Sequence, residues 1–427
     1  MKLERAKGTK DILPEEMILR QDMLAKIRTT FELYGYAPFE TPVIERFDVL
    51  TAKFAAGEGT DVMKEIFRLT DQGERELALK FDQTVPLARF IAMNPTIKLP
   101  FKRYTIDKAF RDGPIKLGRT REFYQCDVDI VGSTSMMCEA ELMDLTNDVF
   151  KALDLDVTIE INSRKLMGAM LSHCGIEEEK HSPVTIIIDK FKKLTRDELE
   201  KEFKEHGLSD DQIKALYDLF SLEGTNTELL DAIEGKVGRN EGVDEMREIL
   251  SYVQNENVTV SPTLARGLNY YTGPVFEAFL KDSSITSSVS GGGRYDKMIG
   301  GYANRDIPAV GTSFGLSPIT EALKQRVEKT VQSVSTILII PIKQYEKGLE
   351  VARSFRRQGL NTDIDLMKRG ISKNLDYANN YGIPYVAFIG EDEVKQNKVK
   401  LRNMGSGEEE LVSPDEVGEL IDRWDSL

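Results

Sequence analysis

Over residues 14–34 the apolar positions Leu19, Met23, Ile27 and Phe31 fall four apart, which predicts a helix with one buried stripe. The run RELALKFDQTVPLARFIAM then reads as a strand followed by a helix, with Pro86 in the first helical turn, where no backbone N–H is missed. FKRYTIDKAFRD and RTREFYQCDVDIVG read as two strands joined through the glycine-containing loop 113–118. Residues 139–153 return to helical spacing, with Leu142, Leu145 and Phe150 as the stripe.

The stretch over about 166–256 is rich in Glu, Lys and Asp. Its segments TRDELEKEFKEHG and SDDQIKALYDLF each open on an N-cap residue, Thr195 and Ser209, and predict a small helical insertion with solvated faces. Strand character resumes over 258–280, followed by the glycine-rich SGGGRYDKMIGG and a helix over about 317–334. Residues 335–427 alternate STILIIPI, EKGLEVARSFRRQG, NTDIDL, SKNLDYANNYG and PYVAFIG. Apolar strands alternating with amphipathic helices predict a separate small α/β domain whose sheet is buried on both faces.

Composition narrows the class without naming it. The 427 residues are enough for two or three domains, and 41% apolar with 30% charged residues is ordinary for a water-soluble globular chain. No run of 18 apolar residues offers a membrane span. The opening MKLERAKGTKDILPEEM lacks the apolar core of a signal peptide, so a cytoplasmic location is expected. Cys126, Cys138 and Cys174 have no redox or metal-ligand spacing, and His173, His181 and His206 share one polar middle region. A zinc site or a histidine-based triad is therefore disfavoured. The net charge of −14 argues against a general nucleic-acid coat but leaves room for a local basic face.

Alternation along RTREFYQCDVDIV puts Arg121, Phe123, Gln125, Asp127 and Asp129 on one face and Tyr124, Cys126, Val128 and Ile130 on the other. The second set is a core face; the first is either the open side of an antiparallel sheet or the lining of a cleft. Arg111, across the hairpin, joins Arg119 and Arg121 in a cluster suited to phosphates or carboxylates. In KFDQTVPLARF, Asp82 and Thr84 share a face that fits an ammonium group, and Asp82 equally fits a cap on the following helix. LARGLNYYTGPVFE reads as buried strand yet holds Arg266 among Leu264, Leu268, Val275 and Phe276. A cation in such company is neutralised by a carboxylate of the protein or by an anionic ligand. Tyr270 and Tyr271 add flat walls and phenol hydroxyls, and the glycines of SGGGRYD permit close backbone approach.

GTKDILPEEM, FKRYTIDKAFRD…GRTREFYQCDVDIVG, LARGLNYYTGPVFE and SGGGRYDKMIGG occur in order, and together they resemble the histidyl-tRNA synthetases, a class II aminoacyl-tRNA synthetase family. SKNLDYANNYGIPYVAFIGEDE…KVKLRNMGSGEEE looks like that family's anticodon-binding domain. The resemblance implies an α+β chain. A class II antiparallel sheet flanked by helices would occupy 1–330 with the insertion inside it, and an α/β anticodon-binding domain 335–427. It implies a homodimer, without membrane contact, that joins L-histidine to ATP and transfers the histidyl group to the 3′ end of histidine tRNA. Magnesium would arrive with ATP rather than in a dedicated protein site.

On matching positions, the resemblance gives Asp82, Thr84 and Gln125 the substrate ammonium group, with Gln83 and Tyr270 beside the bound histidine. Asp129 and Tyr271 would take the two imidazole nitrogens. Arg111 would bind the α-phosphate and the reacting carboxylate, Arg119 and Arg121 would serve ATP, and Phe123 would stack on adenine. Arg266 would face the α-phosphate from the side opposite Arg111. The chain departs from the family pattern at Asn269, where an acid is usual, and in FGLSPITEAL, where Pro318 replaces an arginine that contacts the γ-phosphate. Arg119, Arg121 and Arg294 are the candidate replacements. A second reading is a non-catalytic histidine-binding paralogue acting as a regulatory subunit of ATP phosphoribosyltransferase, and a third is an RNA-binding module without chemistry. Such paralogues usually lack the C-terminal module and the Arg266-type residue, both of which this sequence has. For tRNA, the candidate contacts are Lys368, Arg369, Lys373 and the stretch KVKLR.

Overall fold

The computed structural model describes residues 2–52, 61–115, 120–266, 270–303, 305–326 and 332–426. The chain divides into two compact units, Met1–Lys10 with Met23–Leu323 and Asp11–Asp22 with Lys324–Leu427. Residues 11–22 thus go with the second unit rather than the first; within it, Lys324 Nζ donates to Glu16 Oε2 at 2.9 Å.

In the first unit, β1 (Ala37–Pro38) precedes a small sheet of β2 (Ile44–Arg46), β3 (Arg68–Thr70) and β4 (Glu76–Leu79). There follow β5 (Phe101–Phe110), β6 (Glu122–Val131), β7 (Val157–Ser163), β8 (Val258–Val260), β9 (Pro274–Leu280), β10 (Ser290–Arg294) and β11 (Ala309–Gly315). The eight-stranded sheet runs β1-β5-β6-β11-β10-β9-β7-β8, antiparallel except at β1/β5 and β7/β8. Its apolar face carries Tyr104, Cys126, Val128 and Phe314, covered by the helices Pro14–Leu33 and Met137–Ala152. Phe31 lies 5.6 Å from the Tyr104 ring and 5.5 Å from that of Phe314, which in turn is 5.8 Å from Phe150. Met23, Ile27 and Phe31 are fully buried, as their four-residue spacing requires.

Three expectations change. Among the described residues of LARGLNYYTGPVFE only 274–277, the start of β9, are strand, and Arg266 stands in irregular backbone after β8. Leu264, Tyr271 and Val275 form a small cluster of their own, so Leu264 and Tyr271 are apolar because they pack on the start of β9, not because they are strand. The insertion consists of the helices Arg164–His173, Glu178–Ile188, Arg196–Glu205, Asp210–Phe220, Asn226–Val237 and Glu241–Tyr252. Thr195 with Glu198, and Ser209 with Gln212, form reciprocal capping boxes at two of their starts. Its faces are not all solvated: Leu166, Val184, Phe203, Leu216 and Met246 belong to the same core as the sheet. The helix expected over about 317–334 is observed as Leu316–Arg326; residues 327–331 lie outside the described residues, and 332–334 are not helical.

The second unit holds β12 (Ile337–Pro341), β13 (Thr362–Ile364), β14 (Tyr385–Ile389), β15 (Val399–Asn403) and β16 (Glu409–Val412) in the order β13-β12-β14-β15-β16. β12 pairs parallel to both neighbours, and the last two strands add antiparallel. Ile337, Ile339, Ala387 and Leu401 pack with Phe355 and Trp424 on one face; Leu338, Ile340 and Val386 pack with Ala378 on the other. The sheet is therefore apolar on both sides, as its sequence requires. Among the described residues no helix is long and apolar enough to cross a membrane.

Candidate active site

The registers of the large sheet set polar side chains in rows on the face opposite the apolar core. One row crosses β5, β6, β11, β10 and β9 through Arg103, Asp129, Gly311, Gly293 and Val275. The next, two residues along, passes Thr105, Asp127, Ser313, Gly291 and Glu277. A third sets Gln125 between Asp107 and Gly315. The helices Thr84–Met93 and Met298–Ala303 share a core with Val131 and Ala309 beside these rows. Strand alternation and pairing alone thus bring residues from five strands together.

The deepest group is a guanidinium among carboxylates. Arg103 is fully buried; its Nη2 lies 2.6 Å from Asp129 Oδ2, off the hydrogen-bond line, and donates to the Gln83 carbonyl at 3.2 Å. The Tyr295 hydroxyl donates to Asp129 Oδ1. That carboxylate rests on Gly311, where any Cβ would stand 1.9 Å from Oδ1. Asp82 Oδ1 accepts from Val85 N at 3.1 Å, so the helix-capping role and a place beside the cluster coexist. Burial pushes the Asp82 and Asp127 carboxyls up to about 7, against the pull of Arg103, and pushes Asp129 upward as well. Three carboxylates against one guanidinium leave the cavity short of positive charge. Gln125 Oε1 and Asp127 Oδ1 are buried and accept no hydrogen bond, and Arg103 Nε and Nη1 donate none. Such a site suits a small cationic ligand with N–H donors. Gln83 lies behind it, its amide donating to the Lys108 carbonyl at 3.2 Å.

Arg266 lies over Gly291, two strands from Asp127 in the same row, and it has a protein partner. Its Nη1 donates to Glu277 Oε1 at 3.0 Å, and the Ser288 hydroxyl donates to the same oxygen at 3.2 Å. The guanidinium lies on the backbone of β10, so close to Gly291 that a Cβ there would sit 1.8 Å from Nη1. Of the two ways to neutralise this cation, the structure therefore supplies the carboxylate. Tyr271 is buried, with its ring centroid 5.6 Å from the Arg266 guanidinium and 4.6 Å from that of Tyr270. Tyr270 meets Tyr295 edge-on at 6.2 Å, completing an aromatic wall.

The arginine hairpin forms only in part. Arg111 spreads over the Phe123 ring at 4.1 Å and donates to the Thr120 carbonyl at 3.1 Å. Arg121 pairs with Asp112 at 2.8 Å, and Arg119 lies outside the described residues. Arg294 is not available to replace a third-motif arginine. It grips Glu139 with two nitrogens, at 2.5 and 2.8 Å, and donates to the Ser133 carbonyl and to Asp296. Pro318 occupies the third position of its helix, an ordinary helix start.

The family model described as histidyl-tRNA synthetase matches residues 8–319. The chain belongs to the histidyl-tRNA synthetase family. A second model, an anticodon-binding domain, matches residues 336–424. The Bacillus cereus protein named histidine–tRNA ligase 1 is 44% identical over 418 residues, covering 96% of this chain and 97% of that one. Histidine–tRNA ligase 2 of Shouchella clausii is 40% identical, covering 96% and 98%. The crystal structure of histidyl-tRNA synthetase from Nostoc sp. superposes with a TM-score of 0.87 at 30% identity, covering 99% of this chain and all of that one. A Bacillus halodurans structure described as an ATP phosphoribosyltransferase regulatory subunit/histidyl-tRNA synthetase shares the fold, with a TM-score of 0.74 at 21% identity. The expected α+β class is thus that of a histidyl-tRNA synthetase, an aminoacyl-tRNA ligase with catalytic and anticodon-binding parts.

Three polar residues of the site were not anticipated: Arg103, Tyr295 and Glu277. The signal for Arg103 was present, because FKRYTIDKAFRD alternates as its partner strand does, placing Arg103, Thr105 and Asp107 on the polar face. Tyr295 and Glu277 depend on which strands become neighbours, which local pattern does not encode.

Proposed function

We propose that this chain condenses L-histidine with the α-phosphate of magnesium-bound ATP, releases pyrophosphate, and passes the histidyl group to the 3′ end of histidine tRNA. The observation that carries the reading is the division of charge in the pocket. Acidic groups outnumber cations around Asp82, Asp127 and Asp129, while the Arg266 guanidinium lies over Gly291, two strands along the same face. An amino acid with an ammonium group and a ring of N–H donors fits the first part, and a phosphate fits the second.

In this reading Asp82, Thr84 and Gln125 hold the ammonium group, and Asp129 with Tyr271 receives the imidazole. Arg266 and Arg111 oppose each other across the α-phosphate and stabilise the charge that grows on its oxygens as the carboxylate attacks. To do so Arg266 exchanges Glu277 for the nucleotide, so the ion pair stores the cation in a fixed place until ATP arrives. Phe123 offers adenine a stacking surface, with Arg121 nearby on the hairpin. Magnesium bridges the phosphates of its substrate. The second unit reads the anticodon, and the enzyme acts as a cytoplasmic homodimer.

The regulatory-subunit reading is less supported, because Arg266 and the anticodon-binding domain are both retained. The test is histidine-dependent exchange of pyrophosphate into ATP, followed by charging of histidine tRNA. Exchange that depends on histidine and on no other amino acid is the expected result. Histidine binding without exchange would turn the assignment to the regulatory reading.

A further inference from the structure

We propose that Arg103 is a positioning residue for substrate selection, holding Asp129 as an anion with one oxygen aimed at the imidazole. The inference rests on the reading of Asp129 as the imidazole's partner. Arg103 and Asp129 are opposite one another in the β5/β6 register, so their side chains leave the same face as neighbours. Asp129 is fixed from three sides: Tyr295 donates to Oδ1, Arg103 stands 2.6 Å from Oδ2, and Gly311 supplies a floor without a side chain. A carboxylate oxygen has two lone pairs, so Oδ2 beside Arg103 has acceptor capacity left over. That capacity is free for a substrate N–H.

Three acids and a phenol face the guanidinium. Asp129 and Asp127 face it from β6, Asp82 from the approach to the helix Thr84–Met93, and Tyr295 from beyond β10. Burial raises all three carboxyls, and Arg103 is the charge that pulls each of them back. Take the guanidinium away, and burial together with mutual repulsion favours neutral acids. A neutral Asp129 can donate as well as accept, so it no longer demands an N–H from the substrate ring. Arg103 therefore acts on selectivity through Asp129, and its remaining contact, with the Gln83 carbonyl, ties it to the ammonium end.

The experiment uses the full-length chain and histidine-dependent pyrophosphate exchange measured as a function of pH. Arg103→Met keeps the bulk and removes the charge. It is expected to raise the histidine KM about tenfold or more and to move the pH at which that KM improves upward, since Asp129 then ionises only at higher pH. The ATP KM and the kcat at saturating histidine should change less than the histidine KM. Arg103→Lys should recover part of both effects. Tyr295→Phe, which withdraws the donor from the other oxygen, should displace the profile in the same direction by less, and serves if Arg103→Met does not fold. A parental pH profile in folded Arg103→Met, or in Tyr295→Phe where that variant stands in, overturns the proposal, as does a loss confined to kcat. Asp129→Asn separates the two readings. If it leaves the histidine KM unchanged, the assignment of Asp129 fails, and this inference with it; if it raises KM while Arg103→Met does not, only the role of Arg103 fails.

Discussion

The two sheets of this chain spend their inner faces differently. In the five-stranded sheet both faces are apolar, and strands β12 and β14 bury every residue they contain. In the eight-stranded sheet one face is apolar and the other carries Arg103, Asp127, Asp129 and Gln125, together with glycines where a side chain would collide. Burying charge without full pairing opposes folding. The apolar sheet bears no such cost, whereas the polar face of the other does, as the proposed substrate site would require.

A paired substitution tests this contrast most severely. Arg266→Ala should lower histidine-dependent pyrophosphate exchange by about a hundred- to a thousandfold, the usual loss when a donor aimed at developing charge is removed. Its thermal transition should fall only modestly, because Glu277, left without its cation, can take a proton. Ile339→Ala, in the fully apolar β12, should do the reverse, costing about 2–5 kcal/mol of stability in the second unit. Exchange, which needs only the first unit's chemistry, should persist below the transition. Exchange at the parental rate in Arg266→Ala would remove the phosphate role.

Gly311→Ala is a smaller change with a local effect. The added methyl would occupy the place of Asp129 Oδ1, so the carboxylate must turn away. Histidine KM is expected to rise about tenfold to a hundredfold, equivalent to about 1–3 kcal/mol, with ATP KM nearly unchanged. Crystallographic density for an unmoved Asp129 with an unaltered KM would show that the position of this carboxylate does not matter.

How much of this arrangement was legible in the sequence depends on the range of the interaction. Period-two spacing in RTREFYQCDVDIV placed Gln125, Asp127 and Asp129 together because alternation is a property of one strand. The buried stripe at Met23, Ile27 and Phe31 and the caps at Thr195 and Ser209 are equally local. Arg103 needed the register of a second strand, and Glu277 and Tyr295 needed the order β6-β11-β10-β9, which is a property of the whole sheet. Arg266 is legible as a cation in apolar company. Leu264 and Tyr271 imitate a strand because they are apolar for another reason: outside any strand themselves, they pack on Val275 at the start of β9. The insertion was read as solvated because its charged residues dominate the composition, while its buried residues contact a sheet distant in sequence.

The acids of the polar face should leave a pH signature that the apolar sheet lacks. Asp82 and Asp127 ionise near 3.8 in the unfolded chain and at about 7 when buried. Between those values the folded chain holds protons that the unfolded chain has shed, so stability falls as pH rises through that window and levels off above it. Asp127→Asn should flatten part of that slope. Histidine's ammonium group lowers both carboxyls, so binding near neutral pH should release protons, seen by calorimetry in two buffers of different ionisation heat. Proton uptake that persists after correcting for the imidazole would contradict the raised carboxyls.

The smallest effects belong to the surface of the second unit, where apolar residues are exposed rather than buried. Between β13 and the helix Ile371–Asn380, Asp365 accepts from the backbone of Met367 and Arg369 and from the Asn374 amide, strapping a short loop. The strap holds Leu366 and Met367 out in solvent beside Lys368, whose ammonium lies 4.8 Å from the Tyr345 ring, and Arg369, which covers Tyr377 at 4.4 Å. Exposed apolar and aromatic surface interleaved with cations suits unstacked bases of a single-stranded loop. Lys368 also has a φ of 53°, a conformation that glycine adopts more easily. Lys368→Gly therefore separates two roles with opposite signs. It should stabilise the unit by up to about 1 kcal/mol through relief at that backbone position. It should also weaken tRNA binding a few-fold and reduce the salt slope by about one. Pyrophosphate exchange should be unaffected. Tighter folding with an unchanged salt slope would leave Lys368 as a loop residue and move the RNA contact elsewhere on the domain.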